Sequence, residues 1–266
     1  MGIELRLLGP VQLTVAGEPL TPTSRIQRML LAVLMLQANR VVTIGKLADV
    51  LWDNPPASFQ ANLRTHVSAL RRILQHDGVE RLARHVGGYR LRAEAGELDI
   101  DEFRRLAAKG RALLASGEPE AAVDALGQAV ALGKSSTGSC LNAQGRLADQ
   151  LAAVDSERLH VFEEWIDVRL QLGEASTLVG TVHAHLADNP TREHAWGQLM
   201  RAAYYAGDVA AALRAFSQAR ELLIGQLGIE PGNQLRALQR AILARDEVAL
   251  QPASFRRPGV LVYQAA

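Results

Sequence analysis

Residues 63–74 read LRTHVSALRRIL, and this stretch decides how the N-terminal third of the chain folds. Leu63, Val67, Leu70 and Leu74 recur at the spacing of one helical face, so the segment predicts a helix over about Ser58 to Gln75 with that stripe in a core. At 100° per residue, Ala61, Thr65, Ser68 and Arg72 fall opposite the stripe, flanked by Arg64, Arg71 and Gln75. The polar side is rich in the long cations and short hydroxyls that can read base edges in a major groove. Taken alone, the same pattern is the ordinary solvated face of an amphipathic helix.

The surroundings turn that reading toward nucleic acid. Upstream, Ile26, Met29, Leu30, Val33 and Leu34 predict a helix from about Ser24 to Ala38. A second helix, capped by Thr43, buries Leu47, Val50 and Leu51 and stops at Asp53-Asn54-Pro55-Pro56. Before them, Ile3, Leu5 and Leu7, then Val11, Leu13 and Val15, alternate as a small antiparallel meander. Downstream, Arg81 to Val86 and Tyr89 to Arg92 form a hairpin about Gly87-Gly88, a dipeptide able to take the positive φ of tight turns. Three helices followed by a hairpin describe a winged helix-turn-helix. Charge agrees, because residues 1–95 carry 12 Lys/Arg against 7 Asp/Glu, whereas the remainder carries 17 against 21. The first part suits a polyanion and the second does not. Arg64, Thr65, Ser68, Arg71 and Arg72 are the candidate base-reading set; Arg25 and Arg28, which open the first helix, are candidate phosphate clamps.

Beyond Gly96 the chain is rich in Ala and Leu and reads as successive helices at about 100–116, 119–132, 145–171, 175–188, 192–206, 208–225 and 232–245. Gly207 follows Gly173 by 34 residues, the repeat length of tetratricopeptide arrays. Trp196, Leu199, Ala212, Phe216 and Ala219 hold the signature positions of one repeat; Pro190 closes a degenerate one with Phe162 in the tryptophan position. The expected organisation is mainly α: a winged helix with a small sheet and hairpin wing over 1–95, a superhelical domain over 97–250, and a tail or linker over 251–266.

Other chemistries find little support. Cys140 stands alone, which excludes an intramolecular disulfide and a cysteine metal framework. Gly133-Lys134-Ser135 resembles the end of a phosphate-binding loop, but that motif needs a glycine where Gln128 stands and a strand before it. His183 and His185 diverge on a helix without metal-spaced partners, and Glu163 and Glu164 diverge likewise. Neither a catalytic set nor a cofactor or metal is expected. The absence of a long apolar run and of a charged leader leads to the expectation of a cytoplasmic, nucleoid-associated protein with no membrane contact.

The chain resembles the Streptomyces antibiotic regulatory protein family. The resemblance rests on Leu7-Leu8-Gly9-Pro10, Asn39-Arg40-Val41-Val42, Leu51-Trp52 with Pro55-Pro56, LRTHVSALRRIL, Gly87-Gly88-Tyr89 and Gly228-Ile229-Glu230-Pro231-Gly232, in that order from about residue 3 to 245. It implies an OmpR-type winged helix joined to a bacterial transcriptional activation domain. It also implies activation of secondary-metabolite genes by a homodimer bound to direct repeats in double-stranded DNA, and contact with RNA polymerase holoenzyme. Arg84, His85 and Arg90 would then be wing contacts. Here the chain departs from the family, having Arg84-His85-Val86 where members usually have Thr-Arg-Pro, and Gly133 to Gly138 where Trp-Arg-Gly is common. The rival is a helical-repeat module that senses a ligand or partner and has DNA binding as its output.

Overall fold

The computed structural model describes residues 2–52, 54–75 and 79–250. The expected tail over 251–266 lies outside them. Strands β1 (Ile3–Arg6), β2 (Gln12–Val15) and β3 (Glu18–Pro19) form an antiparallel meander in that order. Ile3, Leu5, Leu13 and Val15 are buried, as the alternation requires, with Leu5 opposite Leu13. Helices α1 (Arg25–Leu36), α2 (Ile44–Leu51) and α3 (Phe59–Leu74) follow, with β4 (Val42–Thr43) between α1 and α2. Thr43 caps α2 by accepting the Lys46 N–H at 3.3 Å. Strands β5 (Leu82–His85) and β6 (Gly88–Leu91) make the hairpin, and β4 joins it in the order β4-β6-β5.

Two details exceed what periodicity could show. The first is α1, expected to bury one face. It buries Met29 through Met35 without a break, because α2, α3 and β6 all pack against it. The second is the 41–43 segment, an extended piece in sequence, which proves to be a sheet strand with Val42 opposite Tyr89 and Thr43 opposite Gly88.

The helical part consists of α4 (Asp99–Ala115), α5 (Pro119–Leu132), α6 (Gly145–Gln171), α7 (Ala175–Asp188), α8 (Glu193–Tyr205), α9 (Val209–Leu227), α10 (Asn233–Ala244) and a short α11 (Glu247–Leu250). The 34-residue period has a structural counterpart at the turns. Gly173 and Gly207, both at positive φ, donate to the carbonyls of Leu170 and Tyr204, and the following residues donate to those of Arg169 and Ala203. Trp196, Leu199, Ala212, Phe216 and Ala219 are all buried.

The chain divides into two compact units, Met1–Phe162 and Glu163–Ala266, and the division falls within α6. Gly96 marks where helix pairing begins, but compactness divides later because residues 97–99 and 138–140 are bonded to residues 5–11. Leu5 N–H donates to Glu97 O at 2.7 Å, and Leu7 and Leu8 N–H donate to the Asp99 carboxylate. Gly138 and Ser139 N–H donate to Leu7 O and Gly9 O, while Leu141 is fully buried. Arg81 joins the same region through a two-point ion pair with Glu97 at 2.7 and 2.8 Å.

Within Glu163–Ala266, a buried polar network lies among the helices. Glu163 receives both arms of Arg192, His194 Nε2 lies 2.8 Å from Asp167, and Gln198 donates to Glu163 O and Asp167. Burial alone would raise the Glu163 carboxyl. Hydrogen bonds from Arg192 and His185 and the Arg192 and His194 charges outweigh it and hold the group down at about 2. His183 is exposed whereas His185 is buried beside Glu163, the divergence expected of two positions on one helix.

Candidate nucleic-acid interface

Helix α3 is positioned by Leu63, Val67, Leu70 and Leu74, each at most 2% exposed. With that stripe fixed against α1 and the hairpin, geometry requires the opposite side to face solvent. Arg64, Thr65, Ser68 and Arg72 are all exposed. Arg64 Nε rests on Gln60 O at 3.2 Å and Thr65 Oγ1 on Ala61 O at 3.2 Å, both within the helix, so neither is held by another element. Arg71 and Arg72 also lie in the last turn, where cations complement the helix dipole.

Arg71 differs from its neighbours. It is half-buried, donates through Nε to Leu82 O at 2.7 Å and approaches Glu80 at 3.5 Å. Its place at the edge of the stripe turns it toward β5, so it fastens the hairpin to α3. Asn62, which sequence reasoning passed over, is exposed on the polar side. The available signal was its position three residues before Thr65.

The two arginines opening α1 are also occupied within the fold. Arg25 donates to Leu141 O at 3.2 Å and Asn142 O at 3.0 Å; Arg28 turns back to the carbonyls of Pro22 and Thr23. Nothing local in sequence could reveal the partners of Arg25, which lie 116 and 117 residues further on.

In the hairpin, Arg84 stands opposite Tyr89, and Ala83 opposite Arg90. Directly opposed residues share a face and successive ones alternate, so Arg84 lies on one face while His85 and Arg90 lie on the other. Arg84 is exposed, and His85 and Arg90 are half-buried. Val86 is fully exposed at the tip and Gly87 turns there at φ +76°. The wing therefore presents two different edges.

Among the described residues, no group of three or more His, Cys, Asp or Glu is arranged to hold a metal ion. The loop containing Lys134 is used internally: Thr137 donates its N–H and hydroxyl to Asp155 at 2.8 Å, and Arg158 donates to Gly133 O. No helix among the described residues is long and apolar enough to cross a membrane.

A three-helix unit with a hairpin wing, followed by paired helices, is the architecture of a bacterial transcriptional regulator. Residues 17–91 match the family described as transcriptional regulatory protein, C terminal, and residues 98–243 match the bacterial transcriptional activator domain. Regulatory protein DnrI of Streptomyces peucetius is 32% identical over 253 residues, covering 92% of this chain and 93% of its own length. Regulatory protein AfsR of Streptomyces griseus is 33% identical over 96% of this chain, which spans only 26% of it. A solved structure, Mycobacterium tuberculosis EmbR in complex with low affinity phosphopeptide, superposes with a TM-score of 0.86 at 29% identity, covering 91% of this chain and 65% of that one. The chain belongs to the Streptomyces antibiotic regulatory protein family of transcriptional regulators.

Proposed function

We propose that this protein is a sequence-specific DNA-binding activator of secondary-metabolite genes. The observation that carries the reading is the division of α3 into a buried leucine and valine stripe and an exposed face with Asn62, Arg64, Thr65, Ser68 and Arg72. In the proposed complex that face reads base edges in the major groove, and Arg84, His85 and Arg90 of the wing add backbone contacts that are sensitive to salt. Arg71 positions the wing rather than reading bases. Arg25 and Arg28 are held by internal carbonyls but keep further N–H donors, so in this scheme they act as phosphate clamps positioned by those bonds.

Two protomers bind head to tail on direct repeats about one helical turn, or ~10–11 base pairs, apart, and the acidic helical part contacts RNA polymerase holoenzyme. Selection of bound fragments from the source genome, followed by footprinting, tests this reading. Tandem sites on one face of the duplex are expected. Inserting half a turn between them should abolish cooperative binding, as should inverting one half-site; equal cooperativity on inverted and direct repeats would refute the arrangement.

One observation favours a second reading, in which the protein responds to a partner and DNA binding is the response. The EmbR structure, similar over 91% of this chain, is that of a complex with a phosphopeptide. A change in operator affinity on adding phosphopeptides to this chain would support it.

A further inference from the structure

Helix α8 is buried from Ala195 to Met200 without a break, yet at 100° per residue His194, Gln198, Arg201 and Tyr205 fall on one face. A polar stripe on so enclosed a helix needs partners. Gln198, fully buried, donates to Glu163 O and Asp167, and His194 Nε2 lies against the other Asp167 oxygen. Arg201 is the exception. It is half-buried, its Nε donates to Leu250 O at 2.9 Å, and it forms no ion pair among the described residues. Asp167 acts on it only through space, and burial lowers the Arg201 guanidinium from its ordinary range. Four of its five N–H donors remain, and the unbonded Nη atoms are not sealed from solvent. A Cβ built at Gly197 would lie 3.4 Å from Arg201 Nη1 and 3.7 Å from Leu235 Cδ1 and Leu238 Cδ2 of α10. The glycine therefore leaves the space of a methyl group between the guanidinium and an apolar wall. One turn beyond, Tyr205 is 44% exposed, its ring edge-on to that of Tyr204 at 5.6 Å between centroids.

We propose that the α8 stripe is a ligand site in which the Arg201 Nη groups hold a carboxylate as a two-point pair and the rings of Tyr204 and Tyr205 carry the apolar body attached to it. The fork of an arginine matches the two oxygens of a carboxylate, and a half-buried, uncompensated cation gains most from such a partner. The ligand is thus a carboxylic acid with an apolar or aromatic body, either the free end of a peptide or a small molecule. A phosphate dianion fits less well, because a single unpaired cation stands here and Asp167 repels further negative charge. Asp167 itself is matched within the fold, since its hydrogen bond raises the His194 imidazole and favours the protonated form. The inference deepens the second reading above by giving the chemistry of the partner, and it rests on that reading only for the effect on DNA binding.

The test titrates the full chain, by calorimetry and amide NMR, with phenylacetate, with the peptide acetyl-Ala-Ala-Phe, with the amides of both, and with inorganic phosphate. At least one acid should bind and its amide should not, with the NMR shifts centred on the second half of α8. Binding of the peptide acid alone assigns the site to a chain end, and of phenylacetate alone to a small molecule. Arg201→Gln should weaken the acid about ten- to hundredfold, the loss of a charge-assisted pair, and Tyr205→Ala about two- to tenfold. If Arg201→Gln fails to fold, the exposed Tyr205 variant and the NMR map decide. No binding of either acid, equal binding of acid and amide, tighter binding of phosphate, or unchanged affinity in a folded Arg201→Gln variant overturns the inference. An acid that binds as described yet leaves operator affinity unchanged strikes the second reading and supports the site.

Discussion

The carboxylate of Asp99, the first residue of α4, accepts the backbone N–H groups of Leu7 and Leu8 at 2.9 Å across more than ninety residues of sequence. Burial pushes the Asp99 carboxyl above its usual range, against the pull of those N–H groups. The end of the first strand is thereby completed by the start of the helical part. Asp99→Ala should leave two part-buried donors without an acceptor and destabilise the protein by about 1–3 kcal/mol. Denaturant unfolding measures the loss, and amide exchange should accelerate first at Leu7 and Leu8. Unchanged protection there would show that the bonds contribute nothing.

The two adjacent arginines of α3 should separate by phenotype. Arg72→Ala or Arg64→Ala should weaken specific DNA binding about five- to hundredfold, the cost of a base-edge contact of about 1–3 kcal/mol, with the melting temperature unmoved. Arg71→Ala should instead lower stability by about 1 kcal/mol, since Leu82 O loses its donor and the hairpin loses its tether. Parallel melting curves and operator titrations distinguish the two. A purely stability-linked loss in the Arg72 variant would remove that residue from the reading face.

Gly88 faces a tighter restriction than the turn residue Gly87. A Cβ built at Gly88 would lie 2.2 Å from Val42 O and 2.9 Å from Val42 C, both backbone atoms that cannot rotate away. Gly88→Ala should therefore break the β4 to β6 pairing and cost at least about 2 kcal/mol. A variant as stable as wild type, with Val42 still protected in amide exchange, would contradict this account.

Acid should weaken the Glu163–Ala266 unit in a defined window. The Glu163 carboxyl is held at about 2, below its ordinary 4.5, so the folded state resists protonation and the stabilisation is complete only above about 4.5. It is then lost as pH falls toward 2, amounting to roughly 3 kcal/mol. Glu163→Gln should flatten that part of the stability profile. It should also lower stability near neutral pH by about 3 kcal/mol, because Arg192 loses its charged partner. Retention of the full acid dependence in this variant would place its source elsewhere.

Much of this fold was legible in the chain because its signals are local. The Leu63, Val67, Leu70 and Leu74 period, the Gly87-Gly88 turn and the 34-residue step from Gly173 to Gly207 each arise within one or two neighbouring elements. Their helices and hairpin appear within a residue or two of the expected ends. The exposed Arg64, Thr65, Ser68 and Arg72 followed from the same period, since a buried stripe fixes what lies opposite it.

What tertiary structure decided are the partners of individual charges. Arg25, Arg28 and Arg71 look equivalent to Arg64 and Arg72 in a sequence, yet the first three meet backbone carbonyls outside their own helices, whereas Arg64 and Arg72 are exposed and the carbonyl that Arg64 meets, Gln60 O, belongs to its own helix. Sequence likewise showed Glu163 and Glu164 only as diverging neighbours, while the folded chain buries Glu163 against Arg192. Period and turn chemistry act over a few residues and are written into the order of side chains. An ion pair such as that of Glu163 with Arg192, or a borrowed carbonyl such as Leu141 O, depends on which distant segments pack together, and only the folded chain brings those within hydrogen-bonding distance.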